Sequence, residues 1–220
     1  MLDIHSPKIV GVWTPMHCFQ SPKNVYLNFY NFYIACVYRS ISDSDWIVKL
    51  GLVNVQNIGG YAKTFEVTRV HVHPNYNRTT NENDIALIKL HQPAKLNKYV
   101  NTICLPGENS KKLYEPGNTC HVVGWKTNHP LSSMAIPLVR KSECDNFADF
   151  VVTNNMLCAG YSGIDTCQGD GGGALMCRSN QTFVAIAINS VGKGCGDGEH
   201  YGIYTDVRPF LDWIKVQLLK

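Results

Sequence analysis

The sequence predicts an all-β protein, on three observations. Short runs rich in Val, Ile, Tyr and Phe recur along the chain, and Gly, Asn, Pro and Asp separate them. Helical periodicity is nearly absent before Arg208–Leu219, where apolar residues near helical spacing follow Pro209 and predict a terminal helix. This pattern is typical of a β-barrel or β-sandwich. Examples of these runs are Trp46–Leu52, Thr64–His71, Ile85–Leu90, Cys120–Trp125, Phe183–Asn189 and Tyr201–Val207.

Length and composition exclude several classes of protein. The chain has 220 residues, of which 45% are hydrophobic, so it can bury one substantial core or two small ones. A net charge of +3 without a long basic run argues against nucleic-acid binding. The longest apolar run, Val184–Ile188, is far shorter than the roughly 18–20 residues of a membrane span. Repeats and linkers are absent, so residues 1–220 are predicted to form a single domain.

Nine cysteines suit an oxidising compartment, which predicts an extracellular or secretory-pathway protein. Since the chain contains no C-x-x-C pair, we expect no metal site, and nothing indicates a cofactor. Two sequons predict N-glycosylation at Asn77 and Asn180. The first eight residues lack the apolar segment of a signal peptide, so the domain is expected to be incomplete at its N-terminus.

One block carries most of the functional information. Asp165–Leu175 reads D-T-C-Q-G-D-G-G-G-A-L and resembles the D-[ST]-C-Q-G-D-S-G-G-P-L segment of the chymotrypsin/trypsin family of serine proteases. Asn83–Leu87 is similar to that family's N-D-I-A-L. Five further matches occur in the family's order: Ile103–Pro106, Gly124–Trp125, Met156–Gly160, Gly202–Thr205 and Trp213–Ile214.

The resemblance implies two antiparallel six-stranded β-barrels with the active site in the cleft between them. It implies that Asp84 is the retained triad acid and that the amides of Gly169 and Gly171 form the oxyanion hole. Gly171, however, occupies the position of the nucleophilic serine. Because losing that serine costs on the order of 10⁶ in turnover, we expect no peptidase activity.

The position of the catalytic base can be aligned in two ways, and both remain open here. In the first, Ile34–Tyr38 fills the family's A-A-H-C-V-x block, so Ala35 stands where the histidine belongs. In the second, Val12–Phe19 matches V-L-T-A-A-H-C-F, so His17 is the base. Cysteine pairing and loop length favour Ala35, whereas local identity favours His17.

The specificity pocket is better preserved than the catalytic residues. Asp165 aligns with the carboxylate at the pocket floor that selects Lys or Arg. Ser190, Gly192 and Gly202 align with the pocket walls, and Val191 replaces the tryptophan of the family's S-W-G.

The resemblance also implies the disulfides. The implied pairs are Cys120–Cys177, Cys144–Cys158, Cys167–Cys195 and, under the first alignment, Cys18–Cys36. Cys104 is left over, and in related two-chain proteases this cysteine tethers an upstream segment. We therefore expect Cys104 to indicate a missing N-terminal region or an intermolecular disulfide.

Three functions are compatible with these sequence features. The first is a serine protease homologue, secreted or membrane-tethered, that binds a protein or peptide through an exposed Lys or Arg. The second is a weak hydrolase that uses His17, Asp84 and the oxyanion hole. The third is a truncated product without the opening strands of the first barrel, which would expose unpaired sheet edges.

Overall fold

The computed structural model describes residues 47–54, 60–124, 130–144, 151–161, 171–191 and 201–218, together with the backbone of 32–35. Ten strands lie in these ranges: β1 Phe32–Ala35, β2 Ile47–Leu50, β3 Lys63–Val72, β4 Ala86–Leu90, β5 Thr119–Gly124, β6 Ser132–Val139, β7 Met156–Ala159, β8 Ala174–Ser179, β9 Thr182–Val191 and β10 Gly202–Asp206. The helices are α1 Lys141–Cys144 and α2 Leu211–Leu218, and 3₁₀ segments span Glu108–Tyr114 and Arg208–Phe210. The all-β prediction is confirmed.

The second half of the chain forms a closed six-stranded barrel. Its strand order is β10-β7-β6-β5-β8-β9, and all neighbouring strands are antiparallel. Alternating residues of β5, β6, β8 and β9 fill the interior, because successive side chains of a strand point to opposite faces. The fully buried interior includes Ile136, Leu175, Ile186 and Tyr204.

The first half forms a separate antiparallel sheet with the order β1-β4-β3-β2. Its core contains Val48 and Leu50 of β2, Phe65 of β3, and Ile88 and Leu90 of β4. Within the described ranges this unit has four strands and is open, where the resemblance implies a barrel of six.

The C-terminal helix joins the two units. The prediction over Arg208–Leu219 is confirmed as the 3₁₀ turn Arg208–Phe210 followed by α2. Phe210 and Ile214 pack against Ile85 and Leu87 of the first unit and against Ile188 of the barrel. In the part of the chain with assigned structure, no helix is long and apolar enough to cross a membrane.

Candidate functional site

Asp84 lies where the open sheet meets the barrel. The residue directly precedes Ile85 and β4, and it is only 3% exposed. The hydroxyl of Ser190, near the end of β9, donates to Oδ2 of Asp84 over 2.6 Å. The hydroxyl of Thr205 in β10 donates to the main-chain oxygen of Asp84 over 2.9 Å. Two strands of the barrel therefore fix both the carboxylate and the backbone of Asp84.

The loop before β4 is anchored by Asn83. This residue has a φ of 55°, in the left-handed region that Asn tolerates better than most residues. Its Nδ2 donates to the main-chain oxygen of Asn75, and its Oδ1 accepts from Nδ2 of Asn155 just before β7. The two contacts tie the loop to itself and to the barrel, so the neighbouring Asp84 has little freedom to move.

His73 supports the same loop from the side of the C-terminal helix. Its main-chain N–H donates to the oxygen of Ile85, and its Nδ1 accepts from the main-chain N–H of Asn75 at 3.3 Å. The ring stands edge-on to Phe210 and Trp213, with both centroid distances 5.0 Å. Partial burial lowers the pKa of His73, because the charged imidazolium loses solvation.

The glycine turn before β8 brings Gly171 to the same region. Gly172 is buried with a φ of 84°, and its N–H donates to the oxygen of Asn189. The N–H of Asn189 donates in turn to the oxygen of Gly173, and both distances are 2.8 Å. Since Asn189 directly precedes Ser190, the turn and the partner of Asp84 belong to one hydrogen-bonded segment. Gly171 itself is exposed and presents no side-chain atom.

The backbone of β1 lies beside Asp84. Its register pairs Ile34 with Leu87 and Ala35 with Ala86, two residues after Asp84. Position 35 therefore lies on the strand next to β4, close in register to Asp84. His17 lies outside the described residues, as do Gly169, Asp165 and Gly192. Gly202 is buried at the start of β10, opposite Ala159.

A family model described as "Trypsin" matches residues 35–214. The chain belongs to the trypsin family. Its relatives include vitamin K-dependent protein C of Oryctolagus cuniculus, at 32% identity over 92% of this chain and 43% of that protein. The same protein of Mus musculus is 37% identical (76% and 40%), and that of Rattus norvegicus is 36% identical (79% and 41%). The chain thus spans about two fifths of these relatives' length.

The disulfides agree in part with what the trypsin-family resemblance implies. Cys120–Cys177 links the paired strands β5 and β8, and Cys144–Cys158 links α1 to β7, so both predicted bonds are confirmed. Cys104, which the resemblance left without a partner in this chain, is disulfide-bonded. Since the other described cysteines pair with one another, its partner lies outside the described residues. The pairs Cys18–Cys36 and Cys167–Cys195 also lie outside them.

Both predicted glycosylation sites lie on exposed turns of this trypsin-family domain. Asn77 begins a turn in which its Oδ1 accepts from the main-chain N–H of Thr79 at 2.9 Å. Asn180 has a φ of 54° in the tight connection between β8 and β9. Among the residues given coordinates here, no group of three or more His, Cys, Asp or Glu side chains could hold a metal ion.

Sequence reasoning missed one contact and one residue of the site. Ser190 was assigned to a pocket wall, but its hydroxyl contacts the Asp84 carboxylate across 106 positions of sequence. His73 was not singled out at all. Neither residue has a spacing relation to Asp84 that a local pattern could detect, since strand pairing and helix packing bring them together.

Proposed function

We propose that this trypsin-family chain is a pseudo-protease, which binds polypeptides in its cleft without cutting them. The observation that carries the proposal is Gly171 at the nucleophile position. Acyl transfer of this type needs a side-chain oxygen that attacks the carbonyl carbon and accepts the acyl group. Glycine supplies none, while the hydrogen-bonded turn around it and the buried Asp84 retain the form of the site.

On this proposal, the histidine that would act as general base is missing in addition to the nucleophilic serine. Two observations favour Ala35 over His17 at that position. The strand next to β4 near Asp84 ends at Ala35, and the family match begins at residue 35. With a methyl group there, no imidazole would receive a proton, and the Asp84 carboxylate keeps its hydrogen bond from Ser190.

The proposed ligand is a protein or peptide segment with an exposed Lys or Arg. Asp165 would pair with the cation at the pocket floor, and Ser190, Gly192 and Gly202 would line the walls. An extracellular location, with glycans on Asn77 and Asn180, is part of the proposal. The two described disulfides support it, because such bonds persist mainly in oxidising compartments.

The first experiment restores the missing groups. We compare the parent chain with Gly171→Ser and with Gly171→Ser combined with Ala35→His, using fluorophosphonate labelling and hydrolysis of an arginine ester. The double variant should gain up to about 10⁶ in turnover, or about 8 kcal/mol of barrier, whereas serine alone should gain little because triad members act as a unit. Asp84→Asn in the double variant should remove most of the gain.

Each outcome addresses a different part of the proposal. Stoichiometric labelling of the parent chain contradicts the pseudo-protease assignment. Activity in Gly171→Ser that disappears on adding His17→Ala means that His17, and not Ala35, is the base position. Inactivity of all serine variants with an intact circular dichroism spectrum means that Gly171 does not explain the lack of activity.

The second experiment tests the ligand alone. Isothermal titration with benzamidine should give measurable heat for the parent chain and none for Asp165→Ala, because the amidinium needs the carboxylate partner. Identical titrations for the two proteins reject the basic-residue pocket and leave the inactive assignment untouched.

A further inference from the structure

A cluster of the exposed Tyr61 and Lys98 with the half-buried Tyr99 lies beside the open sheet and shares no residue with the proposed cleft. The rings of Tyr61 and Tyr99 are 4.2 Å apart between centroids and 31° from parallel. The Lys98 ammonium lies 4.9 Å from the Tyr99 ring centroid and 5.6 Å from that of Tyr61. The Lys98 ammonium lowers the pKa of the Tyr99 phenol, because the nearby positive charge stabilises the phenolate. We call these three residues the Tyr–Lys cluster.

The backbone beneath the cluster is held in place. Asn97 begins the turn that presents it, and its Oδ1 accepts from the main-chain N–H groups of Tyr99 and Val100 at 2.8 and 3.1 Å. On the other side, Gly51 has a φ of 71° and lies so close to the Tyr61 carbonyl that a Cβ would come within 2.9 Å of it. Binding a partner would therefore cost little conformational entropy of the backbone that carries the cluster.

The surroundings combine exposed apolar side chains with a majority of positive charges. Tyr61 is 59% exposed, and Val53 and Leu96 on the adjoining segments are also exposed. Exposed Lys63 and Lys95 belong to the same segments. Residues 47–54, 60–65 and 85–107 contain no Asp or Glu, and the exposed Glu66, three residues after Lys63 on β3, is an acidic residue that borders them.

We propose that the Tyr–Lys cluster is a docking site for an acidic segment of a partner protein that also carries an aromatic side chain. Tyrosine is over-represented among residues that dominate binding energy, since it buries a large rigid area at small entropic cost. The neighbouring lysines select carboxylates and repel basic segments. An aromatic side chain of the partner stacks on the exposed face of Tyr61, and a carboxylate approaches the Lys98 ammonium.

The test uses a short fluorescein-labelled peptide in which Phe alternates with pairs of Glu, at low salt. Fluorescence anisotropy should show saturable binding to the full chain. Lys98→Glu should weaken binding by about tenfold or more through charge reversal, and Tyr61→Ala by about tenfold through loss of the stacking surface. Lys111→Glu is the matched control, because it makes the same charge change at an exposed site on the Glu108–Tyr114 segment.

Two control peptides separate the contributions of charge and ring. The peptide with Gln for Glu should lose binding, and the peptide with Ala for Phe should bind more weakly but keep its sensitivity to Lys98→Glu. Benzamidine should not displace the peptide, since the cluster shares no residue with the cleft. The proposal is overturned if the parent chain does not bind, if the Gln peptide binds equally well, or if both cluster variants bind like Lys111→Glu.

Discussion

Replacing Ser190 with alanine removes the hydroxyl that donates to the Asp84 carboxylate, and the size of the effect follows from the contact. The oxygen–oxygen distance is 2.6 Å, within the range of hydrogen bonds to an ionised acceptor. Asp84 is 3% exposed, so water cannot easily replace the lost donor. Hydrogen bonds to charged groups contribute about 1.5–3 kcal/mol. We therefore expect Ser190→Ala to lower the free energy of unfolding by about 2–3 kcal/mol.

The matched control is Thr205→Val, which removes a hydroxyl that donates to the neutral main-chain oxygen of the same aspartate. That loss should cost only about 1 kcal/mol. Urea unfolding followed by tryptophan fluorescence measures both variants, and a double-mutant cycle of Ser190→Ala with Asp84→Asn isolates their coupling. If Ser190→Ala costs no more than Thr205→Val, or if the coupling falls below about 0.5 kcal/mol, the reasoning is refuted.

Three further predictions concern other contacts. Arg208 pairs with the buried Asp206 over 2.6 Å, so Arg208→Ala should cost about 2–3 kcal/mol of unfolding free energy by leaving that carboxylate behind. Lys215 pairs with the exposed Asp212, so Lys215→Ala should cost under about 0.5 kcal/mol; equal values in urea unfolding would contradict this. Replacing Cys120 and Cys177 together by alanine should cost about 4 kcal/mol, because the bond closes a loop with a sequence separation of 57; a change in urea midpoint equivalent to less than about 1 kcal/mol would disagree. Burial lowers the pKa of His73 from 6.5, so the unfolded chain binds a proton at this residue more readily than the folded chain does. The melting temperature of the parent chain should therefore fall relative to that of His73→Gln as pH falls through and below 6.5. Parallel plots of melting temperature against pH for the two proteins would exclude this.

The strands that sequence patterns identified are those rich in β-branched and aromatic residues. β6 is not recognisable in this way, because Ser132–Ala135 has no such residue and Pro137 interrupts the pattern. In the barrel Pro137 is tolerated opposite Thr119, and its carbonyl accepts from the N–H of Gly160. A proline can thus lie inside a closed barrel when its carbonyl still accepts a hydrogen bond. This bond comes from outside the strand, so a rule applied to one strand alone does not predict it.

The candidate site was predictable to the extent that contiguous motifs define it. Asp84 and Gly171 were identified because each lies within a recognisable run of residues. The contact of Ser190 with Asp84 and the packing of His73 depend on pairing between distant elements, which a single sequence does not encode locally. The sequence left Cys104 without a partner in this chain for the same reason, because a list of cysteines does not determine which of them meet.

The docking of α2 also bears on how the protein is synthesised. Phe210, Trp213 and Ile214, which cover His73 and Ile85, follow all ten described strands in the sequence, so they leave the ribosome after those strands. While the chain is still being translated, the loop that carries Asp84 lacks this apolar cover, even when the strands around it have already paired. A nascent chain stalled before Phe210 would accordingly expose that loop to chaperones and proteases. The loop would be covered only once α2 has been synthesised and has packed against it.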